Sequence, residues 1–132
     1  MKTIVVPIDF SPISLNAANY AVEMACFMKA DLSLVHICLL PMTYGEMPYS
    51  LENTDSLVTD AEEKILRIKN DLSVKCGGKV NIITEIKMAF TVIGELANYC
   101  SSKKPYAVVM GTQGATALER TLFGSNTIMA IK

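Results

Sequence analysis

Apolar positions along the chain alternate between a short, dense pattern and a helical one. Thr3 to Ile8 is β-branched and apolar and predicts a first strand. Ser11-Pro12 then supplies an N-cap followed by proline at the first helical position. Leu15, Ala18, Val22 and Ala25 recur at helical spacing, so a first helix is predicted to about Lys29. Leu32 to Leu40, nearly all apolar, predicts a second strand covered on both faces and stopped by Pro41. Pro41 to Asn53 reads as a long loop. Leu57, Ala61, Ile65, Ile68 and Leu72 form the stripe of a second helix that ends before Gly77-Gly78. Val80 to Met88 predicts a third strand. Thr91 caps a third helix with Ile93, Leu96, Ala97 and Cys100 facing inward, and Tyr106 to Met110 is a fourth strand after Pro105. Strands alternating with helices predict an α/β fold, parallel strands joined by right-handed crossovers.

Composition narrows this picture. The 132 residues suit one domain, and the hydrophobic share of 51% suffices for a single core. A formal net charge of −1 argues against nucleic-acid binding through a broad basic surface. No stretch approaches the roughly 20 apolar residues of a membrane span, and the apolar start is too short for a secretory signal, so a cytoplasmic protein is expected. Cys26, Cys38, Cys76 and Cys100 form no Cys-x-x-Cys pair and stand beside one histidine, so reduced packing cysteines are expected rather than zinc ligands.

The most distinctive stretch follows the fourth strand. The apolar run Ala107 to Met110 stops at Gly111, with Gly114 and Gly124 beyond it and Ser125, Asn126 and Thr127 next. Glycines allow close backbone approach, and the Gly-Ser-Asn end reads as a helix start whose free N–H groups suit an anion. A strand, a glycine loop and a helix start together suggest a phosphate site.

Gly111-x2-Gly114-x9-Gly124-Ser125 also resembles the nucleotide-binding signature of the universal stress protein family. Val5-Val-Pro-Ile-Asp-Phe-Ser11 resembles that family's first strand and loop, and Leu34-Val-His-Ile37 the end of its second strand. The resemblance implies an open parallel sheet with helices on both faces, in the Rossmann-like order 3-2-1-4. In that order the loops after Ile8 and Met110 flank one crevice, where such sheets bind ligands. The implied ligand is ATP or AMP, with magnesium. Pro7, Ile8 and Met110 belong to the expected site as strand ends. Asp9 would accept hydrogen bonds from ribose hydroxyls, or simply cap the turn before the first helix. Ile37 would pack on adenine, or serve as core. Gly111 would admit the sugar, and Gly114, Gly124, Ser125, Asn126 and Thr127 would donate to phosphates. Arg120 would add positive charge there, or be a solvated loop residue. His36 invites a catalytic role, but no Ser or Cys forms a partner motif, so a satisfied structural histidine is expected.

Some positions depart from the family pattern. Ala89 replaces a usual glycine, Tyr106-Ala107 replaces Ala-Asp, and Asn126 replaces an apolar residue. The chain stops at Lys132, where the family continues through a helix into a fifth strand. The expectation is one domain, 1–132, truncated before that strand, with strand 4 left as an open edge that recruits a partner. A fragment of a longer or tandem protein, or a homo-oligomer, follows from this. Three functions compete: a nucleotide-binding stress-response module, an enzyme such as a slow ATPase or nucleotidyl transferase, and a nucleotide-free dimerising scaffold. Gly-x4-Gly-Lys-Ser/Thr and Gly-x-Gly-x-x-Gly are both absent, which weighs against the enzyme, and the glycine signature weighs against the scaffold.

Overall fold

The computed structural model describes residues 2–39, 51–111 and 127–131. In chain order the elements are β1 (Thr3–Pro7), α1 (Pro12–Met28), β2 (Asp31–Leu39), α2 (Leu51–Lys75), β3 (Ile82–Ala89), α3 (Val92–Lys103), β4 (Ala107–Gly111) and β5 (Thr127–Ile131). One sheet runs β3-β2-β1-β4-β5, with every neighbouring pair parallel. The expected order 3-2-1-4 is therefore present.

One expectation is corrected. Strand 4 is not an open edge, because β5 pairs with it from Thr127↔Ala107 to Gly111↔Ile131, opposite Val108 and Val109 as well. A fifth strand is thus present within residues 127–131. Thr127-Ile-Met-Ala-Ile131 is rich in β-branched and apolar residues, which suit a strand better than the helix start expected at Thr127. A second, smaller correction concerns α2. It begins at Leu51, so Leu51 to Asn53 are helical rather than loop. Leu40, expected to end the second strand, and the expected loop residues Pro41 to Ser50 lie outside the described residues, as do Gly114, Arg120, Gly124, Ser125 and Asn126.

The predicted helix boundaries have local causes. The Ser11 hydroxyl accepts from the Ser14 amide at 3.1 Å, with Pro12 next in line. Thr91 accepts from the Gly94 amide at 3.2 Å and starts α3. Behind α2, the Gly78 amide donates to the Ser73 carbonyl and the Gly77 amide to the Val74 carbonyl, at 2.9 and 3.2 Å. That pair of bonds is a Schellman cap, and it needs the positive φ of Gly77, +65°.

Side chains alternate along the strands and so divide between two layers. Ile4, Val6, Ile8, Leu32, Leu34 and Val109 meet α1 and α2 on one face. Val5, Val35, Ile37, Val108 and Met110 meet Leu96, Tyr99 and Cys100 of α3 on the other. Small residues Ala17, Ala18, Ala21 and Ala25 let α1 lie close to the sheet. In α2, Ala61, Ile65 and Leu72 are buried as predicted, but Leu57 is 50% exposed. Tyr99 was not among the expected inward residues. It is buried, and its hydroxyl shares a 2.7 Å hydrogen bond with Ser33 and donates to Glu85 at 3.3 Å. No helix among the described residues is long and apolar enough to cross a membrane.

Candidate functional site

Strand order reverses between β1 and β4, because the chain places β2 on one side of β1 and β4 on the other. Beyond the carboxyl ends of these strands opens a crevice of about 610 Å³. Pro7, Ile8, Asp9, Ile37, Met110 and Gly111, all expected from the sequence, line it together. The strand pairing sets Thr127 opposite Ala107, at the amino end of the sheet, so four strand residues, about 13 Å, separate its backbone from the level of Gly111.

Among the described residues, several that were not expected there also line the wall. Ser11, Ile13 and Ser14 come from the start of α1, and Thr91, Val92 and Ile93 from the start of α3. The positive dipole ends of two helices therefore face one crevice from opposite sides of the sheet, an arrangement that favours an anionic ligand. The cap signals at Ser11-Pro12 and Thr91 already marked both helix starts. Their meeting depends on helix start positions relative to the strand ends, which only the fold supplies.

Asp9 performs the turn-capping role named above. Its Oδ1 accepts from the Ser11 amide at 2.9 Å and from the Ser11 hydroxyl at 2.5 Å, closing an Asx turn into α1. Partial burial pushes the carboxyl group's pKa up, but hydrogen bonds from Ser11 and Ser14 outweigh it and hold it below the ordinary aspartate value. The side chain remains exposed at the crevice mouth.

Phe10 follows with φ of +65°, a left-handed conformation that costs a bulky residue about 1 kcal/mol or more. Its ring lies 4.5 Å from the His36 ring, centroid to centroid. His36 donates from Nδ1 to the Ile8 carbonyl at 2.6 Å, which satisfies it as a structural histidine. Gly111 acts through packing: a Cβ there would stand 2.8 Å from the Ile13 carbonyl oxygen, so only glycine lets the end of β4 approach α1 this closely. Ile37 is 7% exposed and serves both readings, contributing to the core and to the crevice wall.

A profile of the universal stress protein family matches residues 1–131. The chain belongs to that family. A universal stress protein of Methanocaldococcus jannaschii is 30% identical over 132 residues, covering 99% of this chain and 76% of the relative. Two solved universal stress proteins carry the same fold. One, from Archaeoglobus fulgidus in complex with dAMP, has a TM-score of 0.72 at 18% identity and covers 100% of this chain and 98% of its own. The other, in complex with cAMP, has a TM-score of 0.67 at 15% identity and covers 99% of this chain and 97% of its own. In this universal stress protein, the crevice occupies the position that strand order alone assigns to a ligand site.

Proposed function

We propose that this universal stress protein binds an adenine nucleotide, ATP or AMP, in the crevice between β1 and β4 and acts as a cytoplasmic stress-response regulatory module. The observation that carries this reading is the convergence of Pro7, Ile8, Asp9, Ile37, Met110 and Gly111 on one crevice of about 610 Å³, faced by two helix starts. The volume suits a small-molecule site, and the apolar wall of Val35, Ile37, Val92, Ile93 and Met110 suits a flat base. Relatives of the same fold in complex with dAMP and cAMP support the choice of an adenine nucleotide. Gly114, Gly124, Ser125 and Asn126 retain the phosphate role that the family signature implies.

Magnesium enters on different terms. Among the described lining residues Asp9 is the one carboxylate, and its Oδ1 is already engaged by Ser11. No group of three or more metal-binding side chains occurs among the described residues. These groups do not fit a protein-held magnesium; the ion would arrive on the nucleotide phosphates. Hydrolysis is at most slow in this reading, and regulation follows from nucleotide occupancy. A homo-oligomer or a tandem domain remains our proposal for the partner, with β5 now the outer strand on that side of the sheet.

Calorimetry with ATP, AMP and GTP tests the reading. The expected result is binding of the adenine nucleotides, weakened about tenfold or more by Asp9→Ala and by Gly114→Val in folded protein. A wild-type protein that binds no adenine nucleotide at millimolar concentration overturns it.

A further inference from the structure

The ladder between β1 and β2 ends at Pro7↔Val35, where the Ile8 amide donates to the Val35 carbonyl at 2.8 Å. The Ile8 carbonyl then finds a side chain, His36 Nδ1, at 2.6 Å. A carbonyl only accepts, so Nδ1 carries the proton in this contact. Because a peptide unit is planar, holding the Ile8 oxygen also fixes the amide of Asp9. The following residue, Phe10, has φ of +65° and rests its ring on the same imidazole, 4.5 Å away. From α2, Lys64 Nζ lies 5.4 Å from the centroid of the Phe10 ring. A strained backbone persists when its surroundings over-determine it, and here β2 and α2 both supply contacts.

His36 is kept from the crevice by strand alternation. Val35 and Ile37 line the crevice, while His36 stands between them in β2. We propose that His36 is a positioning residue: with Phe10 it sets the direction of Asp9 at the crevice mouth without touching the ligand. The proposal rests on the nucleotide reading of this crevice, and it adds a residue that acts on that site from the opposite side of the sheet.

The test has two arms. In the ligand-free protein, ¹⁵N NMR of His36 should show the Nδ1-protonated tautomer, and the Asp9 amide signal should move in His36→Leu but stay near its place in His36→Asn. The asparagine amide nitrogen hangs from Cγ as Nδ1 does and restores the donor. This arm stands whether or not any nucleotide binds, so failure of the nucleotide reading is seen separately, as a wild type that binds no AMP. In the second arm, AMP affinity is expected to fall about tenfold in His36→Leu and to stay within about threefold of wild type in His36→Asn. The His36→Leu loss should also shrink in an Asp9→Asn background, because the two residues act as one unit. An Nε2-protonated tautomer, an unmoved Asp9 amide, equal losses in the two folded variants, or additive losses in the double variant would each overturn the proposal.

Discussion

On the face that meets α1 and α2, strand side chains such as Ile4, Val6, Leu32 and Leu34 are fully buried among aliphatic neighbours. On the face that meets α3, the same strands contribute Val5, Val35 and Ile37, but Ser33 and Tyr99 place a hydrogen-bonded polar pair within that layer. Glu85 extends the pair to the surface, where Lys87 and Lys103 lie 3.4 and 3.6 Å from its oxygens. The first layer is mainly aliphatic, with the His36–Ile8 hydrogen bond at its edge near the strand ends. The second combines packing with polar order, and its Val35, Ile37 and Met110 also form crevice wall. One set of strands thus supports stability on one side and access on the other.

The largest expected effect comes from truncating the two layers in parallel. Leu34→Ala should cost about 4 kcal/mol in urea unfolding, because the cavity it leaves is enclosed. Ile37→Ala should cost about 2 kcal/mol, since that side chain already borders open space, while weakening AMP binding. A larger stability loss from Ile37 than from Leu34 would break the comparison.

A smaller effect separates the polar pair from its surroundings. Tyr99→Phe should cost about 1 kcal/mol, the net worth of one hydrogen bond, by leaving the Ser33 hydroxyl without its partner. Burial raises the Tyr99 pKa above its ordinary value, an effect that the Ser33 bond offsets and the Glu85 charge adds to. The folded state therefore favours the protonated phenol. That contribution is complete below about pH 10 and is lost as pH rises through the raised value. Alkaline unfolding followed by circular dichroism should accordingly be shallower in Tyr99→Phe than in wild type.

The smallest effect concerns thiol access and leaves stability untouched. Cys100 in the α3 layer and Cys38 are buried, and burial raises both thiol pKa values. Cys26 and Cys76 are half-buried and line a groove of about 300 Å³ between α1 and the end of α2. Alkylation by iodoacetamide, read by mass spectrometry, should label Cys26 and Cys76 in the native protein and the other two only on unfolding. The reverse order would show that the α3 layer, not the α1–α2 rim, is the more open.

Much of this was legible in the residues because it depends on local chemistry. Ser11-Pro12, Thr91 and Gly77-Gly78 set helix ends wherever they occur, and the alternation of strands with helices dictates parallel pairing. Asp9 and Gly111 were found because each ends a run of strand residues. Ser14 and Val92 were missed as crevice residues because nothing local says how far a helix start lies from another strand's end. β5 was missed for a different reason: the preceding Gly-Ser-Asn favoured a helix start over the apolar, β-branched run Thr127 to Ile131. His36 was expected to be satisfied, but its partner is a backbone carbonyl, which carries no side-chain signature.

The length of α2 has a consequence in time as well as in space. Its 25 residues span about 37 Å, whereas the eight of β3 span about 26 Å, so the helix outreaches the strand it precedes. Half-exposed Leu57 lies toward its beginning, and buried Ile65 and Leu72 lie toward its end. Amide protons near Leu57 therefore exchange with solvent through fraying of a single turn, while those between Ile65 and Leu72 await unfolding of the sheet itself. One continuous helix should thus carry two exchange regimes, with the boundary near Ala61, the first buried residue of α2 among those described.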